Sequence, residues 1–196
     1  DEDWCGAGAL DLSLVPAPLS KPAITGPARA GYTLSAQAGT WIGSGTRTVR
    51  WYAGSSHVTT GSTFRVPTAL AGRSLSIRVA PTAAAFAPIT SSSVARSIPR
   101  LTSRTSLSAP KSVKRSKRAK ITVKVTVPGL ARPTGKVTIL DGTKRIKTVT
   151  LAAKHRGKVT ITLPKLKKGK HRLKAVYAGT SQSLPSTSTT RSVRSR

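Results

Sequence analysis

Two runs of lysine and arginine hold the residues with the clearest capacity for chemistry. Lys111, Lys114, Arg115, Lys117, Arg118 and Lys120 form the first; Lys165, Lys167, Lys168, Lys170, Arg172 and Lys174 form the second. The chemistry they offer is ionic. Ammonium and guanidinium groups donate hydrogen bonds and attract phosphate, sulfate or carboxylate oxygens. The chain has 34 Lys and Arg against 5 Asp and Glu, a formal net charge of +29. Residues 1–100 hold 9 of the cations and 4 of the acids, while residues 101–196 hold 25 cations and one acid, Asp141. Such a field favours anionic partners: anionic wall polymers, acidic or sulfated glycans, nucleic acid or an acidic membrane surface. Lysine dominates the second run, which suits diffuse contact with phosphates better than planar two-pronged recognition. Aromatic residues make up 4% of the chain and are nearly absent beside the runs, which disfavours a base-stacking nucleic-acid platform. The competing reading of the runs is a solvated face that serves solubility alone.

Other chemistry finds little support. His57 reads as a turn residue without a partner. His171 shares a strand face with Leu173, Ala175 and Tyr177, so it reads as a buried structural histidine, and no nucleophile–base arrangement surrounds it. Cys5 is the single cysteine, so no internal disulfide forms, and no cluster has metal-ligand spacing. No catalytic residue, metal or cofactor is expected. No run of about twenty apolar residues is present, so no transmembrane segment is expected. The chain contains no Met, so it reads as a processed product or a piece of something longer.

Strands must position these cations. Ile121, Val123, Val125 and Val127 alternate with Thr122, Lys124 and Thr126; Val159, Ile161 and Leu163 alternate with Thr160 and Thr162; Leu173, Ala175 and Tyr177 alternate with Arg172, Lys174 and Val176. A period of two sends one set inward and the other into water. Alternate residues on one strand face lie ~6.7 Å apart, inside the Debye length of ~8 Å at physiological salt. Each neighbouring pair of cations then repels by about half a kcal/mol in water before screening. Only Asp141 is at hand to relieve this locally, so relief must come from salt, a polyanion or an acidic upstream domain of the same protein.

The order of elements suggests two β units. In residues 21–98, strands are expected at 23–25, 32–37, 46–52, 62–66, 74–80 and 89–94, with Gly and Ser between them. Trp51 reads as a core residue, Trp41 as a second packing residue, and Tyr52, on the opposite face from Trp51, as a surface contact. Residues 99–104, with Pro99, form a short linker. Residues 105–190 form the basic second unit. In it residues 135–142 end in an Asp-Gly hairpin turn, Tyr177 reads as a corner tyrosine bonding backbone, and residues 187–190 read as a closing edge strand. Residues 191–196 read as a mobile basic tail.

Three resemblances follow from particular residues. Gly31-Tyr32-Thr33-Leu34, Gly39-Thr40-Trp41, Trp51-Tyr52 and Gly72 to Val79 are similar to an immunoglobulin-like repeat module of actinobacterial secreted proteins. Gly135, Asp141, Gly142, Leu163, Gly169, His171, Leu173, Ala175, Tyr177 and Gly179 are similar to the marks of the bacterial Ig-like repeat family of adhesins and surface proteins. It departs from many such repeats in being strongly basic. Cys5-Gly6-Ala7-Gly8-Ala9-Leu10-Asp11 resembles the end of the catalytic domain of secreted subtilisin-like serine proteases. That likeness implies a Cys5 partner in an upstream domain. Read without it, residues 1–20 are a disordered tail or linker and Cys5 is a free or intermolecular thiol.

The expected fold is therefore all-β: two tandem immunoglobulin-like antiparallel β-sandwiches. The expected function is a non-catalytic, secreted, cell-wall-associated binding or spacer module that docks on anionic envelope polymers. The alternatives are the C-terminal accessory region of a subtilisin-like protease, and non-specific nucleic-acid binding.

Overall fold

The computed structural model describes residues 16–43, 45–82 and 89–196. Cys5 and the protease-like run at residues 5–11 lie outside the described residues. Among those described the chain is all-β, with two short 3-10 turns at Thr68–Leu70 and Ala153–His155 and no α-helix. It divides into two compact units. Of the described residues, one unit holds those within 16–27, 33–64 and 74–96; the other holds 97–196 with 28–32 and 65–73.

The basic unit is a sandwich of two sheets. One sheet runs in the order Arg104–Ser108, Lys120–Thr126, Lys158–Thr162. The other runs Ser112–Val113, Arg191–Ser195, Gly169–Tyr177, Gly135–Asp141, Lys144–Leu151. The expected alternation is what folds it. Ile121, Val123 and Val125 point inward at 2% exposure or less and meet Val137, Ile139, Leu173, Ala175, Tyr177 and Val193, each at 0%. Val159 is half-buried against the same core. Burying each large aliphatic contributes about 1.5–3 kcal/mol, so a core of this size can hold a charged exterior.

The Tyr177 hydroxyl donates to the Thr134 carbonyl oxygen at 2.7 Å and lies 2.8 Å from Ser183 Oγ. It thus ties strand to loop through the backbone, as its position implied.

The Asp-Gly turn forms with a shift of one residue. Asp141 pairs with Lys144, so the two-residue loop is Gly142-Thr143, with Gly142 at φ 58°. A glycine of positive φ in the first loop position is the primed geometry that matches strand twist. The first unit builds the same device: Ala53 pairs with Ser56 across Gly54-Ser55, with Gly54 at φ 64°.

In that first unit, Arg47–Ala53 lies between Ser74–Pro81 and Ser56–Thr60, and a separate sheet joins Ala23–Thr25, Thr33–Gln37 and Thr63–Arg65. Trp51 is fully buried, donates its Nε1–H to the Gly61 carbonyl at 2.9 Å, and packs on Phe64 at 5.4 Å between ring centroids. Trp41 is half-buried, donates to the Ala38 carbonyl, and lies 5.5 Å from the Arg47 guanidinium. Tyr52 carries Arg78 over its ring at 4.3 Å and His57 at its edge.

Several expectations are corrected. Residues 191–196 are not a mobile tail: Arg191–Ser195 is a strand, antiparallel to Gly169–Leu173 and parallel to Ser112–Val113. A single apolar side chain, Val193, sits inward at 0% exposure, and backbone pairing supplies the rest. The closing edge strand is Ser186–Thr187 rather than residues 187–190. The parallel pair arises because the first strand of this unit changes sheets. It leaves one sheet at Ser108, passes Ala109-Pro110-Lys111, and joins the other at Ser112. Proline cannot extend the first ladder, lacking an N–H.

His57 is not in a turn; it lies in the strand Ser56–Thr60, within 3.3 Å of Thr60 Oγ1. Only Ser91–Ser92 of residues 89–94 is strand, and Ile89 and Val94 stay exposed.

Candidate functional site

The cations of the basic unit take up places on both outer sheet faces and on the loops that end them. Lys170, Arg172 and Lys174 face out from Gly169–Tyr177, opposite the inward Leu173, Ala175 and Tyr177. Lys165, Lys167 and Lys168 are exposed on the loop before that strand, which Leu166 pins by entering the core. Lys111, Lys114, Arg115, Lys117, Arg118 and Lys120 are likewise exposed.

The two runs converge through the strand Arg191–Ser195. Val113 pairs with Ser195, and Ser195 pairs with Gly169, so three strands bring the ends of the runs together. Adjacent strands lie ~4.8 Å apart, which places residues 113 and 169 within roughly 10 Å. The neighbouring row is Ser112, Arg194 and Lys170. The backbone N–H of Arg115 also donates to the Arg196 carbonyl at 2.6 Å. Arg191, Arg194 and Arg196 thus sit between two cationic runs. On the other sheet Lys124 pairs directly opposite Lys158, and both are exposed. Like charges in that position are unfavourable.

No Lys or Arg among the described residues is paired with a carboxylate. The one ion pair is His171 Nδ1 with Asp141 Oδ2 at 2.6 Å. Asp141 Oδ1 accepts the Arg172 N–H at 2.8 Å, and His171 Nε2 lies 2.8 Å from the Lys167 carbonyl oxygen. Both ring nitrogens face acceptors, so the imidazole satisfies both only as the doubly protonated cation. Its pKa is raised above 6.5, chiefly by the Asp141 hydrogen bond and then by the Lys167 carbonyl, against a smaller opposing effect of burial. His171 is therefore a half-buried structural clasp that anchors the Lys165–Lys168 loop. It sits at the rim of the core rather than deep within it, with its side chain 13% exposed.

The sign of the pH effect follows. A folded pKa above the unfolded one stabilises fully below about pH 6.5, and the contribution is lost as pH rises through the folded value. The thermal midpoint of the native chain is expected to fall as pH is raised across that window. In Asp141→Asn the decline is expected to flatten, since the main cause of the shift is gone. A pH series of melting curves on both proteins checks this. An unchanged slope in the variant would contradict the clasp.

Sequence reasoning missed Lys124, Lys158, Arg191 and Arg194 as members of the cationic surface. The first two were legible as outward positions of alternating strands. The last two were hidden by the tail reading. His155, which also drew no attention, accepts the Ala152 N–H at Nδ1 and closes a local turn. Among the described residues no group of His, Cys, Asp and Glu could hold a metal, and no helix is long and apolar enough to cross a membrane.

The sheet order, with its strand that changes sheets and its buried tyrosine bonded to backbone, defines an immunoglobulin-like sandwich. Residues 105–194 match the family model of the bacterial Ig-like domain (group 3), so the chain contains an Ig-like domain. The match takes in most of the strand Arg191–Ser195. No curated protein matches the chain. Among solved structures it is similar to the fibronectin(III)-like modules of Clostridium thermocellum CbhA, at 15% identity and a TM-score of 0.36 over 89% of this chain and 92% of that one. The three N-terminal domains of the bacteriophage RB49 Highly Immunogenic Outer Capsid protein match at 15% identity and TM-score 0.33 over 89% and 59%. Escherichia coli alpha-2-macroglobulin activated by porcine elastase matches at 13% identity and TM-score 0.39 over 92% and 23%.

Proposed function

We propose that this chain is a non-catalytic, extracellular docking module that holds its protein on the cell envelope through Lys and Arg contacts with an anionic polymer. The observation that carries this reading is the set of exposed, carboxylate-free cations on both faces of one Ig-like sandwich. A solvated surface that served only solubility would gain nothing from like charges placed directly opposite each other. A partner that supplies negative charge relieves that cost. In the same reading, residues 21–98 form a companion sandwich, residues 99–104 the joint, and residues 105 onward the binding unit. Twelve cations form the binding set: Lys111, Lys114, Arg115, Lys117, Arg118 and Lys120, with Lys165, Lys167, Lys168, Lys170, Arg172 and Lys174. Retention on purified walls before and after removal of their phosphate polymer tests it.

The Cys5–Asp11 likeness favours a second role that is compatible with the first: an accessory region beside a subtilisin-like protease domain. An Asp, His and Ser triad encoded upstream of Asp1 would establish it.

A further inference from the structure

We propose that a linear polyol-phosphate polymer, a phosphodiester chain without bases, crosses the edge of the basic sandwich along one track, running from Lys158 and Lys124 past Arg191 and Lys111 to Arg194 and Lys170. This rests on the polyanion reading above and gives it an occupant and a path, which keeps Lys111 and Lys170 of that set and adds Lys124, Lys158, Arg191 and Arg194.

The path is visible as three shallow depressions of 410, 410 and 460 Å³ that share linings. Lys124, Lys158 and Arg191 line the first. Ser108 and Arg191 continue into the second, which adds Lys111. Lys111 and Ser192 continue into the third, which adds Lys170 and Arg194. Every side chain along the way that carries charge is positive, and the other polar ones are Ser and Thr hydroxyls. Cations and hydroxyls arranged in a line fit a chain whose acceptors are oxygens repeated along its length, rather than one isolated anion.

The track exists because of two features already described. The strand that changes sheets at Ser108 to Ser112 leaves the sandwich edge open there, and the strand Arg191–Ser195 lines that opening. Arg191 is fixed in place: its Nε donates to the Leu107 carbonyl on the facing sheet at 3.2 Å. It therefore spans the edge at the middle of the track. At one end, Lys124 and Lys158 repel each other across the ladder, and a phosphate between them converts that repulsion into two attractions. No aromatic side chain lines any of the three depressions, so nucleic-acid bases would find nothing to stack on.

The test uses the full chain and soluble poly(glycerol phosphate), with single-stranded DNA as competitor. The track variant is Lys111→Gln with Lys124→Gln and Arg191→Gln. The control, equal in charge, is Arg132→Gln with Lys144→Gln and Lys154→Gln, three exposed positions off the path. The track variant is expected to lose about a hundredfold in affinity at physiological salt, taking each of its three contacts near an anionic polymer as worth about fivefold. Its slope of log affinity on log salt is expected to shrink by about two. The control is expected to lose less than about threefold, through the long-range field alone. Should the track variant fold poorly, acetylation of the native chain gives an independent reading: polymer should protect Lys111, Lys124, Lys158 and Lys170 and leave Lys144 and Lys154 reactive.

Equal losses in both variants, or uniform protection, would overturn the track and leave the docking function standing. Native chain that does not bind the polymer at all would overturn the docking function itself. DNA that displaces poly(glycerol phosphate) at equal phosphate concentration would overturn the occupant.

Discussion

Raising monovalent salt from about 50 to 200 mM is expected to weaken binding of a phosphate polymer by about 340-fold, because log affinity falls with log salt at about 0.7 per phosphate neutralised and six cations engage. The effect comes from counterion release. A linear polyanion carries condensed cations, and each Lys or Arg that replaces one returns it to solution. Residues 101–196 carry 25 cations and one acid. That acid, Asp141, is occupied by His171 and the Arg172 N–H, so it competes for no lysine. The cations along the track line open depressions with no carboxylate among them, and are free to exchange water and chloride for phosphate. Binding through sugar stacking on an aromatic ring would show almost no such slope. Titrations at four or five salt concentrations give it directly.

Trp51→Ala is expected to destabilise the first unit by about 3–5 kcal/mol and to leave polymer binding intact. Trp51 is fully buried and packs on Phe64, and its indole N–H holds the Gly61 carbonyl. The substitution opens a cavity and leaves that carbonyl without its partner. Set against a typical stability of about 5–15 kcal/mol, the loss is a large fraction of what a small domain has. Urea unfolding followed by tryptophan fluorescence and circular dichroism reads the loss. Binding survives in this account because the cationic track lies wholly within residues 106–194. Lost binding with the fold preserved would instead make Trp51 a sugar-stacking platform.

How much of this could be read from residues alone depended on whether side chains or backbone pairing determined the element. The strands Lys120–Thr126 and Gly169–Tyr177 were legible because apolar and polar residues alternate along them and only one face can be buried. The hairpin at Gly142 was legible from its glycine, though the register placed Asp141 just outside the loop, where its carboxylate reaches His171.

Arg191–Ser195 was not legible. One valine among arginines and serines gives too little period to distinguish a strand from a solvated tail, and the strand is held by neighbours eighteen or more residues away in sequence. Ser56–Thr60 was missed for a similar reason, since its side chains are polar or half-buried throughout. The site shared this fate. Its cations were legible as two runs of charge. That they meet across a third strand depends on register, which composition does not encode. The position of Arg191 depends on a carbonyl of the facing sheet.

Retention of the native chain on matched cell walls, with and without their phosphate polymer, at physiological salt, tests the docking claim most directly. The account expects strong retention on intact walls and near-complete loss after the polymer is removed. Equal retention on stripped walls would contradict it.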